Sequence, residues 1–189
     1  ERYAGRGFNS SNDLAIGRGG MIYYTDPPYG LSEGDASPLK ELAFNGVYRM
    51  RADGSGVDLI ERRLTRPNGI ALSPAHDRLY VSNSDPADPR IFACPLAADG
   101  SAAGELTPFA DFSAEVARKL PGLPDGLKVA ASGHLFATSP GGIHILSPQG
   151  RKLGLIATGK AVANCCFGED GRSLFITSSD MVARVRLRA

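Results

Sequence analysis

The sequence of 189 residues has no tryptophan, only three cysteines and almost no net charge. Its 21 Lys and Arg residues nearly balance its 20 Asp and Glu residues, which gives a formal net charge of +1. A chain so close to neutral has no general attraction for phosphate backbones or anionic lipid, so we expect no nucleic-acid and no membrane partner. No apolar run approaches the roughly 18 residues of a membrane-spanning helix. We therefore expect a soluble protein, cytoplasmic or periplasmic, with the compartment and the oligomeric state left open.

Several catalytic and structural motifs are also missing. The cysteines form no CxxC spacing, so the sequence predicts neither a disulfide framework nor a cysteine-rich zinc site. Two of them, Cys165 and Cys166, are adjacent, and alternation along a strand predicts that one side chain is buried while the other is exposed. The GxSxG motif of serine hydrolases does not occur, and the three histidines suggest no Ser-His pair.

Glycine and proline, by contrast, are plentiful and are spread along the whole chain, as in proteins built from many short strands. Four segments repeat one layout, in which Asn or Asp precedes a short apolar strand, a turn and a second strand. Their opening residues lie 56, 57 and 39 residues apart, close to the roughly 40–50-residue period of a four-stranded propeller blade. These residues are Asn12, Asn68, Asp125 and Asn164. The repeat predicts an all-β protein, a β-propeller of about four blades that forms a single domain over 1–189.

Two stretches complete this picture. The ending MVARVRLRA alternates apolar residues with Arg184, Arg186 and Arg188, which predicts a third strand in the last blade with a solvated arginine face. Only SAEVARKL, residues 113–120, has the pattern of a short helix. It is expected to lie within a connection between strands.

The four opening residues are the candidates for a functional site. The first strand of each propeller blade lines the central channel, so equivalent positions form a ring around the axis. Their amide and carboxylate oxygens are ligands that hard divalent cations prefer. An alternative is that Asn and Asp at these positions only cap local backbone groups in turns, and this alternative is strongest for Asn12 and Asn164.

The ordered strings SNDLAIGRGGMIYYTDPPYGL, RPNGIALSPAHDRLYVSNSD, PDGLKVAASGHLFATSPGGIHILSPQGRKLG and FGEDGRSLFITSS resemble one known family. This is the gluconolactonase, senescence-marker-protein and luciferin-regenerating-enzyme family, and the likeness is closest to its bacterial gluconolactonase-like members. The resemblance implies a six-bladed propeller with one divalent metal in its channel, usually Ca²⁺, with Zn²⁺, Mg²⁺ or Mn²⁺ as alternatives. It implies that Asn68 and Asp125 are metal ligands and that Asn12 holds substrate or water. No position matches the Glu-Gly-Pro motif of the third ligand, so we expect this chain to be the C-terminal portion of a longer propeller.

The resemblance also implies a metal-dependent hydrolase that opens small sugar lactones. Asp125 is the candidate catalytic residue, although an aspartate with an ordinary pKa of about 3.9 is a weak base at neutral pH. Asp26 precedes a proline, and Asp-Pro is a common start of a turn, which favours an ordinary turn residue. The alternative is that Asp26 lies near the channel mouth, ahead of a substrate lid that includes Tyr29 as a substrate-binding residue. Two alternatives stay open: hydrolysis of other esters or phosphotriesters on the same scaffold, and a non-catalytic propeller that binds calcium or a partner.

Overall fold

The structure is a computed structural model that describes residues 2–187. It contains a two-stranded hairpin and four small antiparallel sheets. The hairpin comes first and consists of β1 (Arg2–Tyr3) and β2 (Arg6–Gly7). The first sheet, blade 1, consists of β3 (Leu14–Ile16), β4 (Ile22–Asp26), β5 (Gly46–Met50) and β6 (Asp58–Glu61).

Three further sheets follow along the chain. Blade 2 consists of β7 (Pro67–Leu72), β8 (Arg78–Asn83), β9 (Arg90–Pro95) and β10 (Thr107–Asp111). Blade 3 consists of β11 (Leu127–Val129), β12 (Leu135–Ser139), β13 (Gly142–Leu146) and β14 (Lys152–Ile156). Blade 4 has three strands within the described residues: β15 (Val162–Gly168), β16 (Ser173–Ser178) and β17 (Met181–Arg186).

Helical structure is confined to short connections in the part of the chain that the structure describes. A helix, α1 (Ser113–Ala117), lies between blades 2 and 3, where the sequence predicts one. Two single 3-10 turns occupy Arg18–Gly20 and Gly34–Ala36. No helix within residues 2–187 has the length and apolar character needed to cross a bilayer.

Each blade is a meander in which every strand pairs with the next strand in sequence. The first strand of a blade therefore lies at one edge of its sheet. These edge strands contact one another in order, β3 with β7, β7 with β11 and β11 with β15. The first strands thus surround a common hub, and the prediction of an all-β propeller with four blades is confirmed. The count of six blades and the single-domain boundary stay predictions.

Apolar side chains fill the spaces between consecutive blades. Because successive residues of a strand point to opposite faces, each blade contributes to two cores. Tyr23 packs towards blade 2 with Ile70 and Leu79, whereas Tyr24 on the other face stacks against Tyr48. Phe8, from the segment after β2, packs edge-on against Tyr24, so the chain before blade 1 covers that face.

The last blade follows the predicted alternation. Cys165 is buried between blades 3 and 4, whereas Cys166 is exposed. Along β17, exposed residues alternate with half-buried ones, and Arg184 and Arg186 are on the exposed side. Both predictions are therefore confirmed, while Arg188 lies outside the described residues.

Candidate active site

A cavity of about 420 Å³ lies at the hub, where the first strands of all four blades begin. We call it the hub cavity. It contains all four opening residues of the sequence repeat, together with Tyr29 and one acid that the sequence analysis did not select. Its lining consists of Asn12, Asp13, Tyr29, Asn68, Asp125, Ala163 and Asn164. The expected equivalence of Asn164 is wrong by one residue, because the strand register places Ala163 level with Asn68 and Asp125.

Backbone hydrogen bonds hold the entry residues of the blades in place. The Asn12 amide donates to the Thr25 carbonyl at 2.9 Å within blade 1. The Asp125 amide donates to the Thr138 carbonyl at 3.0 Å within blade 3. Asn68 lies in β7 where the pairing with β8 shifts register, between the pairs formed by Pro67 and Ile70. This irregularity leaves the Asn68 side chain, 7% exposed, at the hub.

Side chains from three blades meet at the hub. The Asn12 side-chain amide donates a hydrogen bond to Oδ1 of Asn68. The Asn68 side chain lies close enough to the Asp125 carboxylate to lower its pKa, and both residues line the hub cavity. Their role as metal ligands stays a prediction.

The electrostatic environment of Asp125 differs from that of an exposed aspartate. Burial raises the pKa of its carboxyl from 3.8 to about 6, and the negative charge of Asp13 acts in the same direction. The nearby Asn68 side chain and Gly126 backbone amide oppose this rise without cancelling it. Asp125 in the metal-free protein is therefore a stronger base than an ordinary aspartate near neutral pH.

Asp13 is the site residue that the sequence analysis missed. It follows Asn12 directly, and its Oδ1 accepts a hydrogen bond from the Leu14 amide at 2.8 Å. Its Oδ2 accepts a longer one, of 3.4 Å, from the Ile70 amide in blade 2. In the strand register the equivalent positions of blades 2, 3 and 4 are Gly69, Gly126 and Asn164, so an acid at this place in blade 1 was a usable signal. It adds a second carboxylate to the hub cavity.

Tyr29 lies at the rim of the hub cavity, in the loop after β4. The residue is 46% exposed, and its hydroxyl lies near the side chains of Ser84 and Asn68. Burial raises the pKa of the phenol, so the hydroxyl stays protonated at neutral pH. The side chain is placed where it can contact a molecule that enters the hub cavity.

Two other expectations have different outcomes. Asp26 does not line the hub cavity: it is completely buried, and it accepts hydrogen bonds from the backbone amides of Asn9 at 2.8 Å and Ser10 at 2.9 Å. The expectation that Asp26 lies at the channel mouth is wrong, because the two backbone amides hold its carboxylate in the interior.

Asn164 lines the hub cavity. Its Oδ1 accepts hydrogen bonds from Lys128 at 3.3 Å and from the Cys165 amide at 2.9 Å, so this oxygen has local partners.

The donor chemistry of the hub cavity fits a hard cation better than a soft one. Among residues 2–187, no group of three or more His, Cys, Asp or Glu side chains is placed to hold a metal. The cavity instead offers the carboxylates of Asp125 and Asp13 and the amide oxygen of Asn68. Calcium and magnesium prefer such oxygen ligands, and calcium tolerates irregular geometry with water completing the shell. Sulfur and imidazole ligands, which zinc favours, are absent from the lining of this cavity.

The fold and the hub cavity together define a β-propeller whose blade-entry carboxylate and amides converge on a central site. A family model described as the SMP-30/gluconolactonase/LRE-like region matches residues 3–180. The chain belongs to this family.

Individual relatives agree with this assignment. A gluconolactonase from Zymomonas mobilis is 48% identical over all of this chain and 53% of its own length. A solved gluconolactonase structure from Xanthomonas campestris superposes with a TM-score of 0.84 at 35% identity, over 99% of this chain and 60% of that one. A calcium-binding protein, regucalcin from Agrobacterium tumefaciens, shares the fold with a TM-score of 0.70 at 21% identity, over 90% of this chain and 53% of that one. The chain therefore spans little more than half the length of these relatives.

Proposed function

We propose that the protein is a metal-dependent hydrolase that opens sugar lactones, with gluconolactone-like rings as substrates. The observation that carries the proposal is that Asn68 and Asp125, from two different blades, line one hub cavity and lie close enough for the Asn68 side chain to lower the pKa of Asp125. The family membership and the 48% identity to a gluconolactonase support the same activity. The cavity, of about 420 Å³, has room for a small sugar ring.

Asn68 and Asp125 are the residues that would hold the divalent cation, with Ca²⁺ as the best match to their oxygen atoms. When bound, the cation supplies Lewis-acid polarisation of the lactone carbonyl and offsets the negative charge that develops on its oxygen. Asp13 adds negative charge close by, which favours a cation in this cavity.

The chain's own residues position the reactants. Asp125 accepts a hydrogen bond from the attacking water and orients it; deprotonating the water is its weaker role, because a nearby cation lowers a carboxylate's basicity. Asn12 is exposed at the cavity and can hydrogen-bond a substrate hydroxyl. Tyr29 covers part of the opening and adds a hydroxyl to the rim.

Replacing Asp125 tests the proposal directly. Calcium titration calorimetry and a pH-stat assay on glucono-lactone should both be carried out on the full-length protein, on Asp125→Ala and on Asp125→Asn. We expect each variant to lose more than about 100-fold in calcium affinity and in kcat/KM, because even outer-shell partners of a metal cost about 10–100-fold. Normal turnover in Asp125→Ala would remove this residue from the site.

A matched control variant removes one negative charge elsewhere in the protein, as Asp125→Asn does at the hub. Asp58→Asn removes an exposed carboxylate on β6 that is ion-paired with Arg49 at 2.8 Å, far from the hub cavity lining. This variant should keep the native calcium affinity and kcat/KM, because Asp58 does not line the hub cavity. Equal losses in Asp58→Asn and Asp125→Asn would indicate a general charge effect and contradict the proposal.

The two alternatives need separate measurements. Running the same pH-stat assay on phosphotriesters and simple esters distinguishes a lactonase from another hydrolase on this scaffold. Calcium binding without turnover of any of these substrates would indicate a non-catalytic binding protein. The expected third ligand, a Glu, is tested by comparing the calcium affinity of this chain with that of a form extended at its N-terminus. Tight calcium binding by both forms would show that this Glu is not needed.

A further inference from the structure

Every blade carries a hydroxyl residue at the same place, the next-to-last position of its second strand. The first three hydroxyl residues are completely buried. Each of those three donates to a backbone carbonyl at the start of the next blade, at distances of 2.7, 2.9 and 3.2 Å. The residues are Thr25, Ser82, Thr138 and Thr177 in blades 1 to 4. The repeat places a hydroxyl link at each junction between the described blades.

At two of these junctions the acceptor belongs to a hub residue. Thr25 Oγ1 donates to the carbonyl of Asn68 at 2.7 Å, and Ser82 Oγ donates to the carbonyl of Asp125 at 2.9 Å. At the third junction Thr138 Oγ1 donates to Ala163, which offers no side-chain ligand. The same hydroxyl-to-carbonyl hydrogen bond therefore occurs at two candidate metal ligands and at one residue that is not a candidate.

Ser82 joins both candidate ligands through one oxygen atom. Its Oγ accepts the amide proton of Gly69, the residue after Asn68, at 2.7 Å while it donates to Asp125. A Cβ atom at Gly69 would lie 2.0 Å from the Asp125 carbonyl oxygen, so the two backbones approach as closely as glycine permits. The separation of Asn68 from Asp125 is therefore defined by this hydroxyl on one side and by backbone contact on the other.

We propose that Ser82 is a positioning residue, whose hydroxyl fixes the position of Asp125 relative to Asn68. The proposal rests on the proposed function for its effect on cation binding, and on the geometry alone for its effect on the backbone. A functional site loses much of its effect when its supporting groups allow displacements beyond about 0.5 Å. Without the hydroxyl, the Gly69 amide and the Asp125 carbonyl lose their shared partner, and β7 and β11 are free to move relative to each other.

The first test compares three variants of the full-length protein by calcium titration and steady-state kinetics. Ser82→Ala should weaken calcium binding about 10–100-fold, the range found for outer-shell partners of metals. Ser82→Thr should restore it, because threonine occupies the equivalent place in blades 1 and 3. Thr138→Val removes the same hydroxyl from the next junction and should leave calcium affinity within about twofold of the native value. Native affinity in Ser82→Ala, or an equal loss in Thr138→Val, would overturn the proposal.

The second test needs neither metal nor turnover. Amide hydrogen exchange at Gly69 should accelerate at least about tenfold in Ser82→Ala relative to Thr138→Val, since only the former removes its acceptor. Unchanged protection at Gly69 would overturn the proposal even if the enzyme is active. If the native protein neither binds calcium nor opens lactones, the proposed function fails, and the exchange at Gly69 alone then decides whether Ser82 positions these strands.

Discussion

The side-chain amide of Asn12 donates a hydrogen bond to Oδ1 of Asn68, a residue 56 positions later in the chain. The bond crosses from blade 1 to blade 2 at the hub. Asn68 also lies close to the Asp125 carboxylate in blade 3 and lowers its pKa. Three residues that are remote in sequence thus form one polar cluster, in which Asn68 is central and Asn12 is peripheral.

This connectivity predicts a graded loss of calcium binding when the asparagines of the hub are replaced one at a time. Asn68→Ala should cost more than about 100-fold in affinity because it removes a ligand, and Asn12→Ala about 10–100-fold because it removes a partner of that ligand. Asn164→Ala is the control and should change affinity less than about threefold. Its Oδ1 accepts two hydrogen bonds from groups outside the candidate site, Lys128 and the Cys165 amide, whereas the Oδ1 of Asn68 accepts one from within the site, from Asn12. Titration calorimetry measures all three, and equal losses would contradict the assigned order.

The raised pKa of Asp125 predicts an unusual contribution to pH-dependent stability. Because this pKa is about 6 in the folded protein and near 3.8 in the unfolded chain, the folded state binds the proton more tightly. Asp125 therefore lowers the free energy of unfolding progressively as the pH rises from about 4 to about 6, and the effect is constant above that window. In chelator-treated protein, Asp125→Asn should gain stability relative to the native protein across this window.

Urea unfolding at pH 4, 5, 6 and 7 measures the difference in the free energy of unfolding between Asp125→Asn and the native protein. Asp13→Asn provides the second comparison, because removing the Asp13 charge should lower the pKa of Asp125 and shift the window to lower pH. A stability difference between the native protein and Asp125→Asn that does not change between pH 4 and pH 7 would show that Asp125 has an ordinary pKa.

The repeat pattern was sufficient to predict the blades and the convergence of Asn68 with Asp125. Equivalent positions in a propeller meet at the axis whatever fills the rest of the blade, so sequence spacing alone carries this information. Asp13 was missed because no other described blade has an acid at this position. Glycines occupy it in blades 2 and 3, and Asn164, which the repeat alignment had placed one residue too early, occupies it in blade 4.

Asp26 shows the opposite error. Its Asp-Pro dipeptide indicated a turn or a place near the channel mouth, but the backbone amides of Asn9 and Ser10 donate to its carboxylate in the interior. Those contacts span 17 and 16 residues, and no local pattern specifies them. The partners of a buried carboxylate depend on how the segment before blade 1 packs, which is a tertiary property.

The thiol groups provide a simple check on the packing of blades 3 and 4. Burial raises the pKa of Cys165 to about 12, and it also raises the pKa of Cys94, whereas Cys166 is exposed. Since the thiolate is the reactive form, a thiol-specific reagent at pH 8 should modify Cys166 alone in the native protein. Spectrophotometric titration should give one thiol before unfolding and three after it, and Cys166→Ser should abolish the first phase. Rapid modification of two or more thiols in the native protein would contradict the burial of Cys165 and Cys94.

Blades 2 and 3 approach each other closely at Gly69, so any side chain at this position should destabilise the protein. A Cβ atom there would lie 2.0 Å from the Asp125 carbonyl oxygen and 2.9 Å from the Gly126 Cα, and both neighbours are backbone atoms that cannot rotate away. Gly69→Ala should therefore destabilise the protein by about 1–3 kcal/mol, as overpacking does elsewhere.

The same displacement should move Asp125 away from Asn68, so lactone hydrolysis and calcium binding should fall together with stability in Gly69→Ala. Gly154→Ala is the matched control, because its Cβ would lie 3.9 Å from its nearest neighbour, in ordinary contact, on an exposed strand. Denaturant unfolding should place Gly154→Ala within about 0.5 kcal/mol of the native protein. Equal stability of the two variants would mean that blades 2 and 3 do not meet at Gly69 and Asp125, and the geometry assigned to the hub would then be wrong.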